Sequence, residues 1–443
     1  MASKPDRYME RLRVGGGGMS GWNPLEVLTI ALSCLLHDIG KFERRASFSK
    51  KSHEEFSVEF VEKYLPDFKM KEKVKELVKI HKPERKVEGL LEIVSKADAI
   101  SSSEREKGYS ESYESELRRL QHIFSKRYYY KLVPLSLQDI HDIKGVEQNK
   151  ATPKEYKDLW EPFIQDFNRF NEFFMDNKSW SLDDVEGLRS YIDTLCELLR
   201  RYTFFIPSAP TIEEEVKQSL YAHLKSTAAL GYALGVNGRI DGSLTIILGD
   251  VAGIQRYVYG SRSYKGALKM LRSRSIYLSL LTEAVCDQII LDLNLLPLNV
   301  VFCSGGHFMI IGYDLPEDKL DTILSKIERF LLERHEGDIG IKIAYRKVPT
   351  SNLKKGVGEI INKMEPELKE AGLRMFHRLL KEDGLYNKVF GPIKLDRGVC
   401  YSCGSGKNVV EKTINEESNE ESIPLCENCI SLRELAKKLS KAN

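Results

Sequence analysis

The stretch that decides the fold of this 443-residue chain is LLHDIGKF, at residues 35–42. An apolar run predicts a helix over 30–36 that leads into His37 and Asp38, and Gly40 is expected to end that helix in left-handed geometry. A neutral imidazole beside a carboxylate suits a transition-metal ion better than calcium or magnesium. Burying such a pair without a metal or other partners would be costly. The stretch therefore predicts either a metal centre or a polar cluster satisfied by its neighbours.

Three further ligand-type residues follow on successive predicted helices. His53 opens a helix with an apolar face, His81 closes the next helix, and Asp98 lies late in a third. The dipeptide alone is weak evidence, because His141-Asp142 repeats it in a polar stretch, and we interpret that copy as solvated surface. Five ligand-type residues in this order favour a metal-binding helical domain over one in which caps and water satisfy the same groups.

Length and composition set wide bounds on the architecture. A chain of this length predicts two to four domains, and a formal net charge of +2 neither favours nor excludes a local basic groove. The sequence predicts no membrane-spanning segment and no secretory signal, so we expect a cytoplasmic location. Residues 1–18 end in four glycines and are expected to be an added leader with a glycine linker; a native flexible arm is the alternative.

The region at about 109–222 is predicted to be helical and rich in aromatic residues. Its pattern predicts a charged helix over 115–130, an aromatic-faced helix over 159–175 and a further helix over 181–202. A helix over 213–234 contains YAHLKSTAA at residues 221–229. Its His223 could contact a ligand, but a helix-surface histidine bonded to its neighbours is the commoner outcome.

From Ser243 onwards the pattern predicts the order β-α-β-β-α-β of the ferredoxin-like split unit. Polymerase and nucleotide-cyclase palms share this layout, and they carry two acidic residues at the hairpin tip to hold metal ions. Here the tip reads SGGHF, at residues 304–308, and Asp250 is the only acid in a comparable place. An ordinary ferredoxin-like fold with a tight turn explains the spacing equally well.

Any nucleotide is expected to rest against the glycines of the hairpin and the basic start of the following helix. The candidate residues are Asp250, Gly305, Gly306, Lys265, Arg272 and Arg274. A solvated face is the more common meaning of such a basic run.

Four cysteines cluster near the C-terminus in two C-x-x-C pairs. These are Cys400 with Cys403 and Cys426 with Cys429, and an acidic loop is expected between the pairs. Paired thiolates at this spacing predict a tetrahedral structural zinc site. A pair of disulfides is the alternative, and it suits a reducing compartment poorly.

In combination, these motifs resemble the large subunit of type III CRISPR effector complexes, most of all the Csm (III-A) branch. The motifs that carry the resemblance are the His-Asp, His, His, Asp order, YAHLKSTAA, GDVAGIQ at 249–255, LRSRS at 271–275, the Gly-Gly hairpin and the four cysteines. The resemblance implies an α+β multidomain chain. Its parts are an all-α HD domain at 19–108, a helical connector at 109–222, a degenerate ferredoxin-like palm at 223–350 and a helical zinc-binding module at 351–443.

The same resemblance implies a function for each part. The HD domain would be a metal-dependent nuclease for single-stranded DNA, and the metal-site positions of the family match His37, Asp38, His53, His81 and Asp98. The mixed imidazole and carboxylate ligands favour manganese, nickel or cobalt, and we expect Lys41 to steady the phosphate. A second palm bearing Gly-Gly-Asp-Asp would make cyclic oligoadenylates from ATP and magnesium together with the first palm. The implied partners are crRNA, target RNA, a small subunit and the subunit that binds the crRNA 5′ handle, with no membrane.

The sequence departs from that family in one respect. No Gly-Gly-Asp-Asp is present, and the chain ends where the second palm would begin, so we expect either a truncated or a naturally split subunit without full synthetase activity. Two alternatives to the nuclease remain open at this point. One is an HD-type nucleotide phosphohydrolase with a regulatory palm, and the other is a non-catalytic assembly scaffold.

Overall fold

The computed structural model describes residues 22–79, 89–103, 117–136, 145–177, 180–209, 218–260, 267–353, 356–381, 384–386, 391, 398–416, 419–439 and 441. The described part before residue 240 is helical apart from its connections. Its helices are α1 Pro24–Leu36, α2 Gly40–Ser47, α3 His53–Tyr64, α4 Lys71–Leu77, α5 Leu90–Ser101, α6 Pro153–Asp176, α7 Val185–Thr203 and α8 Leu220–Asn237.

Helix α1 lies at the centre of these helices. A capping box starts it, because the Asn23 side chain accepts from the backbone N–H of Glu26 and the Glu26 carboxylate accepts from the N–H of Asn23. Every residue from 27 to 36 is buried, so the helix has no solvent-facing side over this length. It contacts α4, α5, α7 and α8, and burial on all sides explains why the run is apolar all round.

Close packing between α1 and α8 depends on a glycine. A Cβ placed on Gly231 would lie 2.6 Å from Sγ of Cys34 and 3.2 Å from Ile30, closer than side chains tolerate. The two helices therefore approach at a distance that only glycine permits at this position. This contact draws the N-terminal turn of α8 toward the C-terminal end of α1.

Glycine is required at position 40 for a different structural reason from the one expected. It is not in the left-handed region and does not end a helix; it begins α2, immediately after the turn that holds Asp38. A Cβ on Gly40 would lie 2.0 Å from the carbonyl oxygen of His53 and 2.5 Å from the backbone nitrogen of Ser57. Glycine is needed here because the backbones of α2 and α3 cross in contact.

The helix expected over 115–130 is wrong for the residues described. Residues 117–136 instead form a hairpin with an antiparallel bridge between Gln121 and Tyr129, and a second bridge joins Tyr129 to Val146. Tyr130 donates its backbone N–H to the carbonyl of Leu120 at 2.9 Å. Three consecutive tyrosines are typical of an extended chain, and this preference prevailed over the weak helical periodicity.

A four-stranded antiparallel sheet follows α8. Its strands are β1 Ser243–Ala252, β2 Val300–Ser304, β3 His307–Gly312 and β4 Gly340–Pro349, in the order β2-β3-β1-β4. Short helix α9 Ile254–Tyr259 and long helix α10 Ala267–Asp292 follow β1, and α11 Glu317–His335 follows β3. This is the predicted β-α-β-β-α-β order, and with the N-terminal helices it gives the chain the expected α+β multidomain class.

The C-terminal part is built on a small hairpin. Helices α12 Thr350–Leu353 and α13 Val357–Leu373 lead to β5 Val409–Glu416, β6 Asn419–Cys426 and α14 Glu427–Leu439. The acidic loop expected between the cysteine pairs is thus a two-stranded antiparallel hairpin. Among all the helices described, none is both long and apolar enough to cross a membrane.

Helix α8 joins the N-terminal helices to the sheet. It packs against α1 and α5 on one side and against β3 on the other. Asn299, beside β2, donates to the carbonyl oxygens of Ala229 on α8 and Ile311 on β3, at 3.2 and 2.8 Å. The expected domain boundary between residues 222 and 223 falls inside this helix.

We predict that Gly40→Ala lowers the free energy of unfolding by about 3 kcal/mol, because α2 and α3 must separate to admit the methyl group. Gly358→Ala is the matched control, since Gly358 lies in α13 with nothing within 4 Å of an added Cβ. The control should be neutral or slightly stabilising. Urea denaturation of both variants measures the difference, and equal stabilities would contradict the proposed close crossing.

Candidate functional site

Four separate helices bring ligand-type side chains to one buried point. His37 is the C-cap of α1 and Asp38 follows it in the turn before α2, while His53 is the first residue of α3. Asp98 lies in the last turns of α5, and His223 lies in the first turn of α8. These side chains lie at or near the ends of helices, where the chain turns and short side chains can reach a common centre.

The Nε2 atoms of three histidines converge on two carboxylates. His223 Nε2 lies 3.2 Å from an oxygen of Asp38 and 3.2 Å from an oxygen of Asp98. His37 Nε2 lies 3.6 and 3.5 Å from oxygens of the same two carboxylates, and His53 Nε2 lies 3.5 Å from the second oxygen of Asp38. Ligands bound at about 2.1 Å to one ion are about 3–3.5 Å apart. Of these residues, His37, Asp38 and His223 have ligand atoms that all lie within 4.8 Å of one another and could hold one metal ion, with Asp98 and His53 beside them.

Hydrogen bonds on the far side of two rings fix their orientation. Nδ1 of His37 donates to the carbonyl oxygen of Cys34 at 2.7 Å, which leaves Nε2 as the ligand atom of the neutral imidazole. Nδ1 of His223 lies 3.1 Å from Oγ of Ser101, whose hydroxyl also lies 2.6 Å from Oγ of Ser226. Outer hydrogen bonds of this kind are usual around metal-binding histidines.

The two carboxylates make the centre attractive to positive charge. Burial opposes protonation of His37, but Asp38 and Asp98 beside it outweigh this and raise the pKa of its imidazole. Burial would raise the pKa of Asp98, yet hydrogen bonds from His223 and His37 hold that pKa well below its usual range. A metal cation at the centre would replace these protons as the positive charge beside the two carboxylates.

Lys41 lies beside the cluster and contacts Asp38. Its side chain is buried, and its ammonium group forms an ion pair with a carboxylate oxygen of Asp38. We expected Lys41 to steady a phosphate. In the structure its ammonium group instead contacts Asp38 and is placed to hold that carboxylate. Asp38 therefore has a fixed orientation with respect to His37, His53 and His223.

Sequence reasoning undervalued one member of the cluster. His223 was expected on a helix surface, but its side chain is fully buried and lies between Asp38 and Asp98. The available signal was its place in the YAHLKSTAA motif and the apolar residues that surround it on α8. Spacing alone could not locate it, because it is 125 residues from Asp98 in sequence and only tertiary packing brings α8 to α5.

Four residues named from the sequence lie outside the described residues, as does the expected leader at 1–18. The residues are His81, His141, Asp142 and Lys265. The roles predicted for them stay predictions: a metal ligand for His81, solvated surface for His141 and Asp142, and a phosphate contact for Lys265.

The four C-terminal cysteines come together as a second cluster. The Sγ atoms of Cys400, Cys403, Cys426 and Cys429 all lie within 4.8 Å of one another, and those of Cys403 and Cys426 are 3.6 Å apart. That separation is far longer than a disulfide bond and close to the distance of about 3.8 Å between thiolates on one tetrahedral zinc ion. The thiol set therefore fits a zinc ion better than a pair of disulfides.

The residues expected to contact a nucleotide are only partly suited to it. Gly305 and Gly306 form the β2–β3 turn with φ angles of 62° and 89°. Asp250 lies at the same end of the sheet, where Lys342 donates to it at 2.5 Å and His307 Nδ1 lies 3.2 Å away. This carboxylate is thus already neutralised by neighbouring side chains.

The two arginines of the LRSRS motif differ in exposure. Arg272 is exposed, whereas Arg274 is buried and donates to the carbonyl oxygen of Tyr257 at 2.9 Å. Arg274 therefore ties α10 to α9, and Arg272 is the better placed of the two for a phosphate.

Two family models match this chain. The model described as "HD domain" matches residues 7–105, and the one described as "Csm1 subunit domain B" matches residues 243–388. The first covers all the helices that contribute Asp38, His53 and Asp98, and the second covers the four-stranded sheet.

Curated relatives and solved structures agree with these models. The single-strand-specific deoxyribonuclease Cas10/Csm1 (subtype III-A) of Methanocaldococcus jannaschii is 29% identical, with 74% of this chain and 46% of that protein covered. The protein of the same description from Thermococcus onnurineus is 28% identical, with coverage of 93% and 54%. The chain thus spans about half the length of the curated relatives it matches.

The fold is also found in crystal structures of a Csm1–Csm4 cassette. The complex with AMPPNP is similar with a TM-score of 0.62 at 23% identity, over 91% of this chain and 56% of that one. The complex with cA4 gives a TM-score of 0.61 at 22% identity, over 91% and 55%. Together with the two family models and the curated relatives, this confirms the resemblance of the chain to the Cas10/Csm1 large subunits of subtype III-A CRISPR systems.

Proposed function

We propose that this chain is the nuclease-bearing part of a type III-A CRISPR effector subunit, and that its HD domain cleaves single-stranded DNA with the help of a divalent metal ion. The observation that carries the proposal is the convergence of three imidazole Nε2 atoms on the carboxylates of Asp38 and Asp98. The curated relatives are named single-strand-specific deoxyribonucleases, which supports the choice of substrate.

The ligand set would be His37, Asp38, His53, His223 and Asp98, with His81 as a further candidate. Mixed imidazole and carboxylate donors favour manganese, nickel or cobalt over magnesium. When bound, such an ion supplies Lewis-acid polarisation of the phosphodiester and an activated water.

The chain's own residues have separate tasks in this proposal. Lys41 holds Asp38 in position, and Cys34 and Ser101 orient the rings of His37 and His223. Asp38 is fully buried, whereas the side chains of Asp98 and His53 are 20% and 18% exposed, so we infer that substrate approaches from the side on which these two residues lie.

The sheet domain would be the first palm of the family, and the four cysteines would hold structural zinc. The solved cassettes are described as complexes with AMPPNP, ATP and cA4, which supports a nucleotide-binding function for this type of palm. The same structures pair Csm1 with Csm4, so we propose that this chain also binds a Csm4-type subunit, together with a small subunit, crRNA and target RNA. Such a palm would supply half of an oligoadenylate synthetase.

We predict that His37→Ala, Asp38→Ala and His223→Ala each reduce metal-dependent cleavage of single-stranded DNA by at least about 100-fold. Loss of outer-shell partners alone typically costs 10- to 100-fold, and loss of a ligand should cost no less. His377→Ala is the matched control, because His377 is a half-buried histidine beyond α13, and its ring bonds locally to the carbonyl of Arg374. Cleavage is measured with a labelled oligonucleotide and manganese, nickel, cobalt or magnesium.

The outcome for His223 decides whether the geometry was interpreted correctly. If the His223→Ala variant cleaved DNA as fast as the His377→Ala control, His223 would not be a metal ligand. If free nucleotides were hydrolysed and single-stranded DNA were not, the phosphohydrolase alternative would replace the nuclease. If neither were cleaved with any of the four metals, the scaffold alternative would stand.

We predict about one zinc ion per purified chain, bound by the C-terminal cysteines. Its removal should unfold residues 398–439, because the binding energy of such an ion is folding energy. Elemental analysis and hydrogen exchange measure the two effects. Cys426→Ser combined with Cys429→Ser should abolish zinc binding, while Cys303→Ser, a half-buried cysteine on β2, should leave it intact. A folded chain with four free thiols and no zinc would contradict the assignment.

We predict that this chain alone makes no oligoadenylate from ATP. The tip at residues 304–308 carries no carboxylate, and Asp250 is bonded to Lys342 and His307. Two divalent ions therefore have no acidic pair to hold them. Chromatography after incubation with ATP and magnesium tests this, alone and with a separately expressed palm that carries Gly-Gly-Asp-Asp. Product from the unaccompanied chain would show that other carboxylates do the work.

A further inference from the structure

An exposed aromatic tip stands on the hairpin at residues 121–130. Phe124 is 87% exposed, Ile123 is 73% exposed and Tyr128 is 37% exposed, although all three lie within six residues of one another. Single exposed apolar side chains are ordinary on a protein surface, but adjacent ones mark a contact surface.

The hairpin holds this tip rigidly. The buried amide of Gln121 donates to the carbonyl oxygens of Ser125 and Tyr128 at 2.8 and 3.3 Å, and the backbone N–H of His122 donates to Tyr128 at 3.0 Å. The ring of His122 stacks on Tyr130 at 4.7 Å. Phe124 is therefore presented to solvent by an ordered turn.

The charges around the tip are those of a nucleic-acid contact. Residues 117–136 contain lysines and arginines but no aspartate or glutamate. Arg127 lies over the ring of Tyr128 at 5.9 Å and pairs with Glu147, and no carboxylate of the described residues contacts Lys126. Aromatic faces next to cations bind unpaired bases and their phosphates together.

The base of the hairpin is connected to the metal cluster. Tyr130 packs against Phe205 with ring centroids 5.0 Å apart, and the neighbouring Phe204 contacts Tyr221 at 6.2 Å. Tyr221 lies two residues before His223 on α8. The hairpin and the cluster thus rest on one continuous framework.

We propose that the 121–130 hairpin is an accessory site for single-stranded DNA, at which Phe124 and Tyr128 stack on unpaired bases while Lys126 contacts a phosphate. The proposal rests on the proposed nuclease function for the choice of ligand. Its chemistry selects single strands, because bases in a duplex already stack on each other and offer no free face. A protein partner that buries the apolar tip is tested as the competing outcome.

The test measures binding rather than cleavage, so it is separate from the test of the metal site. All variants carry Asp38→Ala, and the probe is a 20-nucleotide oligothymidylate containing one 2-aminopurine, whose fluorescence falls on stacking. Phe124→Ala should weaken binding about 5- to 150-fold, the range for loss of one stacked base. It should also restore the 2-aminopurine fluorescence, and the affinity for a duplex of equal length should not change.

Two controls complete the experiment. Phe173→Ala removes another exposed phenylalanine, which lies on α6 and is 66% exposed, and should leave affinity unchanged. Lys126→Gln should flatten the salt dependence of binding by about one phosphate contact while the stacking signal persists. The proposal would be overturned if the Phe124→Ala variant bound the oligonucleotide as tightly as the Phe173→Ala variant. It would also be overturned if Phe124→Ala abolished binding of a Csm4-type subunit and left DNA binding intact. Failure of the cleavage assays would leave this result unaffected.

Discussion

One buried and one partly buried carboxylate among three histidines are the constraint on which the rest of the N-terminal part depends. Asp38 is fully buried and a second carboxylate, Asp98, lies across the same histidines. Buried charge without compensation costs several kcal/mol, so the surrounding helices must hold cationic or ligand-type groups in place. The capping box of α1, the absence of a side chain at Gly40 and the close approach at Gly231 each serve that positioning.

One helix connects this centre to the sheet, which explains why the chain does not divide cleanly between them. Helix α8 carries His223 at its first turn and meets the sheet near its other end, where Asn237 donates to the carbonyl of Ser243 at 3.1 Å. Tyr232 donates to the carbonyl of Asn294 at 2.7 Å from the same helix. A displacement at either end of α8 would be felt at the other, because the helix is packed along most of its length. The cluster and the sheet domain therefore share a structural element.

Local patterns were predictable from the sequence, and tertiary approaches were not. Spacing along the sequence was enough to predict three features. They are the apolar run before His37, the β-α-β-β-α-β order and the clustering of the four cysteines. His223 was undervalued because its importance depends on α8 reaching α1 and α5, which no periodicity encodes. Gly40 was identified as special for the wrong reason, since its conformation is helical and only the proximity of α3 demands glycine. The hairpin at 121–130 was mistaken for a helix because charged residues obscured an extended tyrosine run.

The charge count of the centre suggests why a buried lysine belongs beside a metal ligand. Among the described residues, Asp38 and Asp98 contribute two negative charges, Lys41 contributes one positive charge, and neutral imidazoles contribute none. A divalent ion held there would leave the centre with one net positive charge, which attracts a phosphodiester of charge −1. Without Lys41 the same ion-loaded centre would be neutral and would lose its net attraction for the phosphodiester. The lysine therefore adds electrostatic attraction for the DNA backbone, and it keeps Asp38 aligned with the histidines.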